Sequence, residues 1–141
     1  MNQFELIYKK LSKLVPGLTS LESGEAIKLK AEGFMDLNID VLHKEPDKII
    51  IAMAHNYIQN GDVIPDPDME IALYPKHKMA EALTYQDSFG YKQVYPEPGY
   101  VYPKVKKELN HFLNQWLNNI QMQGHSISGN DSQQGQGRDK R

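Results

Sequence analysis

The residues best equipped for chemistry in this sequence are the carboxylates Asp62, Asp66, Asp68 and Glu70. Aspartates two apart followed by another carboxylate can hold a hard cation such as Ca²⁺ or Mg²⁺ through oxygen. A calcium loop of the EF-hand kind also needs a central glycine and a closing glutamate, and neither is in place. Pro65-Asp66 resembles one half of a metal-dependent nuclease motif. The other half, an acidic residue and a lysine flanking one position, is missing because Glu81-Ala82-Leu83 ends in leucine. A metal-dependent enzyme built on Asp66, Asp68 and Glu70, with Glu81 in support, is thus the alternative. The preferred reading is that two prolines and two aspartates make a rigid, solvated turn between strands.

Other catalytic patterns are weaker. The five histidines, His43, His55, His77, His111 and His125, occur singly, and no pair has the spacing that aims two imidazoles at one metal. His55 alone falls on a buried-looking strand, where a lone histidine is held by a hydrogen bond; His125 falls in the polar C-terminal segment. No serine sits in a nucleophile elbow, and there is no phosphate-cradling glycine loop. No cysteine is present, which removes disulfides, thiolate metal sites and a cysteine nucleophile together. The sequence therefore leans away from an enzyme and implies no cofactor.

The largest departure from average composition is the stretch from Tyr85 to Pro103. It holds Tyr85, Phe89, Tyr91, Tyr95, Tyr100 and Tyr102 together with Pro96, Pro98 and Pro103. Val94-Tyr95-Pro96 recurs as Val101-Tyr102-Pro103. Tyrosine offers a large contact area with few rotors and a polar tip. Prolines keep the intervening chain extended and lower the ordering cost of binding. Tyr91, Tyr95, Tyr100 and Tyr102 are the candidate partner-binding residues. The competing reading is that the rings pin a long crossover to the sheet.

The elements that position these residues can be read from periodicity. Phe4, Ile7, Leu11 and Leu14 recur at helical spacing, and Pro16-Gly17 ends the run. Ile27, Leu29 and Ala31 then alternate with polar or small residues, as do Met35, Leu37, Ile39 and Val41. A tight hairpin at Glu32-Gly33-Phe34 sets Lys30 opposite Asp36, Lys28 opposite Asn38 and Leu29 opposite Leu37. A third strand runs over Lys48–Ile58 and is broken at Asn60-Gly61-Asp62. A fourth contains Met69, Ile71 and Leu73. A fifth runs over Met79–Asp87 with Met79, Glu81, Leu83 and Tyr85 on one face, Glu81 being the discordant member. The last element is a helix over about Pro103–Met122, with Val105, Leu109, Phe112, Leu113, Trp116, Leu117 and Ile120 as its apolar face and Asn110 among its polar cover. The expectation is an α+β fold: an antiparallel meander of about five strands with the N- and C-terminal helices packed on one face.

Length and charge bound the rest. A chain of 141 residues, 40% hydrophobic and 24% charged, is expected to form one domain over residues 1–123. Residues 124–141 are polar and glycine-rich, and read as a disordered tail. Both arginines lie in that tail, and residues 1–121 carry 13 lysines against 16 carboxylates. An acidic, arginine-free body is a poor match for phosphate backbones, which makes nucleic acid an unfavoured partner. The longest apolar run, Ile49–Ala54, is far short of a bilayer span, and the N-terminus does not read as a signal peptide. A cytoplasmic protein with no membrane contact is expected, as a monomer or weak homodimer.

Met69-Glu70-Ile71-x-Leu73-Tyr74, then Met79-Ala80-Glu81, then Leu109-Asn110-x-Phe112-Leu113-x-x-Trp116-Leu117 resembles a family of small uncharacterised bacterial proteins. Some members are chromosomal in proteobacteria and others ride on plasmids or integrative elements. The resemblance spans about residues 60–120 and rests mainly on the terminal helix. It implies a bacterial, cytosolic and in some cases mobile-element protein, and it carries no catalytic residue. The functional expectation is a small non-catalytic accessory protein that engages another protein, as an inhibitor or regulator.

Overall fold

The computed structural model describes residues 1–127, without the side chains of residues 57–59 and 63–66. The expected disordered stretch 128–141 and the Asp66 side chain lie outside the described residues.

Helix α1 spans Gln3–Leu14 and opens on a capping box. The Glu5 N–H donates to Asn2 Oδ1 at 2.9 Å, and the Asn2 N–H donates to Glu5 Oε1 at 2.9 Å. Ile7 and Leu11 of its apolar stripe are buried. Gly17, at φ 82°, ends the turn after it.

Strands β1 (Ala26–Lys30) and β2 (Leu37–Lys44) pair with Lys28 opposite Asn38 and Leu29 opposite Leu37, the register that charge and burial predict. Lys30 lies 3.5 Å from Asp36. The connection is longer than expected, since Met35 is exposed and β2 begins only at Leu37. Strands β3 (Ile49–Gln59) and β4 (Asp62–Tyr74) form a long hairpin about Asn60 and Gly61, both at positive φ. The Pro65-Asp66-Pro67 segment is therefore strand, not the turn anticipated. Proline lacks a ladder donor, and the prolines are accommodated by a bulge, where the register shifts between Asn56↔Pro65 and Ala54↔Asp68.

The expected fifth strand is two strands, β5 (Met79–Ala82) and β6 (Thr84–Asp87), parted at Leu83. Strand β7 (Gly90–Gln93) follows, then helix α2 (Pro103–Gln123), then β8 (Ser126–Ile127). The sheet is antiparallel with eight strands rather than about five, in the order β7-β6-β4-β3-β2-β1-β8, with β5 also paired to β4. One apolar cluster joins Ile7 and Leu11 of α1, Leu113 and Ile120 of α2, and Leu29, Ile39, Ile51, Met53, Met69 and Ile71 of the sheet. Both helices thus cover the same sheet face. Among the described residues no helix is long and apolar enough to cross a membrane.

Two expectations about polarity are overturned near β5. Ala80 and Ala82 are its buried residues, whereas Met79, Glu81 and Leu83 are only partly buried. Asn110, expected on the polar side of α2, is fully buried. The two reversals share one cause. Asn110 Oδ1 accepts the Ala82 N–H at 2.8 Å while its Nδ2 donates to the Lys106 carbonyl at 2.8 Å. Such close approach of helix to strand requires small residues beneath it.

The C-terminal boundary also moves. Gly124 caps α2 in the left-handed conformation at φ 86°, and the chain turns back into the fold. His125 is buried, its ring nitrogens 2.8 Å from the Met35 carbonyl and 3.3 Å from that of Ile120. Ser126 and Ile127 then pair with Lys30 and Leu29. The folded body therefore continues at least to Ile127, beyond the expected end at Gln123. The glycine signals a helix stop equally well for a tail or for a reversal, and only the cavity that receives His125 decides between them.

Truncation after Gln123 should lower the melting temperature by several degrees, because buried hydrogen bonds contribute about 0.5–1.5 kcal/mol each and the His125 ring leaves a gap. Asn110→Ala should cost about 1–3 kcal/mol in denaturant melts by orphaning the buried Ala82 N–H. A melt unchanged by either alteration would contradict this account of the packing.

Candidate functional site

The acidic residues separate on folding. Asp68 and Glu70 are two apart in β4 and share a sheet face, opposite Ala54 and Ala52 of β3, with Asp40 opposite Ala52 from the other side. Burial, then repulsion from Glu70 and Asp40, pushes the Asp68 carboxyl above the ordinary carboxylate range. Among the described residues no three metal-ligating side chains converge. Glu81, the supporting member of the acidic alternative, is engaged elsewhere.

Glu81 is the centre of a polar clasp. Its Oε2 accepts the Tyr74 hydroxyl at 2.7 Å and its Oε1 accepts the Tyr95 hydroxyl at 2.7 Å. Lys106 Nζ lies 3.5 Å from Oε1 and donates to the Tyr95 oxygen at 3.0 Å. The same ammonium stands 5.5 Å from the ring centroids of Phe4 and Tyr95. Burial and the carboxylate acceptor raise both phenols, so Tyr74 and Tyr95 stay protonated and donating. With all its strong partners met internally, the cluster ties β4, β5, α1 and α2 to the loop that carries Tyr95.

That loop runs from Val94 to Tyr102 and is closed at its base. The Val94 N–H donates to the Leu83 carbonyl at 2.9 Å, and the Tyr102 N–H donates to the Val94 carbonyl at 2.8 Å. The two Val-Tyr-Pro copies play different parts. Val94 is fully buried and Tyr95 is held by Glu81, while Val101 and Tyr102 are exposed. Of the four candidate tyrosines, Tyr91, Tyr100 and Tyr102 are 56%, 64% and 51% exposed, and Tyr95 is 38% exposed with its hydroxyl occupied.

The residue the composition argument undervalues is Phe89, 96% exposed at the tip of the β6–β7 hairpin. Asp87 builds that tip by accepting the N–H groups of Phe89 and Gly90 at 2.8 and 3.1 Å. The Tyr85 hydroxyl donates to it at 2.8 Å, and these bonds, led by Tyr85, hold its carboxyl below the usual range. Asp-Ser-Phe-Gly is a turn signature, so the exposed phenylalanine was available from sequence. Between this hairpin and α2 lies a cleft of about 450 Å³, lined by Tyr85, Phe89, Tyr91, Leu109 and Phe112 among others. Tyr85 meets Phe112 edge-on, with centroids 5.1 Å apart.

A second aromatic group adjoins the first along α2, where Phe112 and Trp116 bring their ring centroids within 5.9 Å. His55 and His125, separated in sequence, bring their ring centroids within 5.7 Å, and His55 stands edge-on to Trp116 at 5.5 Å. His55 Nδ1 is 3.0 Å from the Asp36 carbonyl. The expectation of a histidine held in place by a hydrogen bond fits His55, but it is not alone. Desolvation first, and the neighbouring His125, lower its pKa, while the Asp36 carbonyl opposes them.

The chain belongs to the family described as a domain of unknown function (DUF6908), whose profile matches residues 7–126. That span runs from within α1 to just past His125 and includes the Glu81 cluster apart from Phe4, the β6–β7 hairpin and the paired histidines. No curated protein and no solved structure matches the chain.

Two titrations follow from this geometry. His55 resists protonation in the fold, so its contribution to stability is complete above the unfolded value of about 6.5 and declines as pH falls below it. Melting temperature should drop from pH 7 to pH 5, and His55→Gln should flatten that slope. Asp68 has the opposite sign, since an elevated carboxyl destabilises the fold wherever it is ionised. Asp68→Asn should therefore raise the melting temperature at pH 7, and the gain should vanish below about pH 3.8. Loss of stability on that substitution at neutral pH would contradict this balance of burial and repulsion.

Proposed function

We propose that this family member is a non-catalytic protein-binding module, a bacterial cytosolic accessory factor that inhibits or regulates the protein it engages. Carriage on mobile elements fits such a role. One observation supports it above others: Phe89, Tyr91, Tyr100 and Tyr102 stand exposed on segments anchored from beneath. The Asp87 turn fixes the hairpin tip, and the Glu81 clasp with the Val94–Tyr102 bond fixes the loop. Exposed aromatic rings on a mobile loop would lose much of their contact energy to ordering. On a pre-organised one that cost is reduced, and a few rings can carry most of an interface.

The reading is tested by separating stability from binding. Tyr100→Ala and Tyr102→Ala should each cost under about 1 kcal/mol in denaturant melts, as exposed substitutions do. A photo-crosslinking residue placed at Tyr100 should capture one protein from a host extract, and one placed at Lys9 on α1 should not. If Tyr100→Ala unfolds the domain, the ring is packing rather than recognition. Equal capture from both positions would equally remove the basis for the proposal.

A further inference from the structure

The sheet ends at β7, where an unpaired backbone coincides with the aromatic surface. Among the described residues β7 pairs with β6 on one side only. The Val94 N–H points toward β6, since it donates to Leu83. Backbone direction alternates along a strand, so Lys92 and Gly90 also face β6. The N–H and C=O groups of Tyr91 and Gln93 then point off the sheet. Beyond Gln93 the Tyr102 N–H occupies the Val94 carbonyl, which closes the edge there. The open stretch is therefore Gly90–Gln93, bounded by the hairpin tip and by Tyr102. Alongside it lies the cleft of about 450 Å³ with Tyr85, Leu109 and Phe112 in its walls.

Charge narrows the occupant. Lys92 is 3.6 Å from Glu108 across the cleft, which leaves Asp87 as the remaining ionised group in its lining. The cleft is net negative, with Leu109, Phe112 and Tyr85 as apolar walls beside its charged groups.

We infer that β7 is a strand-addition site for an extended peptide segment of a partner protein, carrying an apolar side chain for the cleft with a lysine or arginine beside it. The inference rests on the protein-binding reading and specifies the ligand that surface takes. Main-chain bonds to Tyr91 and Gln93 supply pairing, and alternate side chains of the added strand fall toward α2. Two carboxylates, Asp87 and Glu108, face one lysine, Lys92, in the cleft, and this single excess negative charge favours a basic neighbour and steers its approach.

Heptapeptides selected from a phage-displayed random library against the full chain serve as the probe. Selected sequences should combine an apolar anchor with a basic residue and protect the Tyr91 and Gln93 amides from hydrogen exchange. Gln93→Pro should weaken their binding at least tenfold. That change removes an outward N–H and leaves the β6 ladder intact, so the melting temperature should hold. If it does not hold, amide protection in the unaltered chain decides. Peptides that protect only the region of Tyr100 and Tyr102, and bind Gln93→Pro as tightly, would overturn strand addition while leaving the protein-binding reading standing. A library yielding no binder would also overturn it, with crosslinking at Tyr100 judging the broader reading separately. Concentration-dependent protection of the same amides without peptide would replace the foreign segment by a second copy.

Discussion

Strand β4 has two long edges of backbone donors and acceptors, and burial obliges both to find partners. β3 satisfies one edge from Gln59 to Ile49. The other is shared in sequence by β5, which pairs Ile71–Tyr74, by Leu83, whose N–H takes the Glu70 carbonyl, and by β6 opposite Asp68. The Thr84 hydroxyl accepts the Glu70 N–H where the ladder is interrupted. Much of the architecture around the candidate site follows from this requirement. The chain must break at Leu83 to continue along β4, the β6–β7 hairpin must then lie outside, and the return to α2 must cross the end of the sheet.

Polar groups placed against the core make that return rigid. Asn110 ties α2 to the Ala82 amide, Glu81 gathers two phenols and an ammonium, and Asp87 organises a turn. Each of these groups has partners within the fold. Buried networks of this kind contribute specificity of geometry when every member is satisfied. Here the result is that rings on the surface are held by rings and carboxylates below it.

The two sheet surfaces therefore differ in character. One is filled by α1 and α2. The other presents Ala52 and Ala54 between Asp40, Asp68 and Glu70, a smooth acidic floor. At the β7 edge the aromatic groups and the unpaired backbone meet. The family match from residue 7 to residue 126 covers both surfaces and the β7 edge, beginning within α1.

The sequence by itself determined the α+β class, both helices, the β1–β2 register and the main sheet core, because period-two and period-3.6 burial are local properties of a chain. It also marked the tyrosine and proline stretch as unusual. It misjudged Asn110 and His125 for a common reason. A polar residue can face solvent or satisfy a buried partner, and pattern alone assigns it to solvent. The partners of these two, the Ala82 amide and the Met35 carbonyl, lie 28 and 90 positions away. Glu81 stood out as discordant on its face, but its partners, the phenols of Tyr74 and Tyr95, lie 7 and 14 positions away. Likewise, the split at Leu83 depends on an edge of β4 that no local window contains. Tertiary structure decided which polar groups are buried and which aromatic rings are free, since both depend on what the far parts of the chain bring to them.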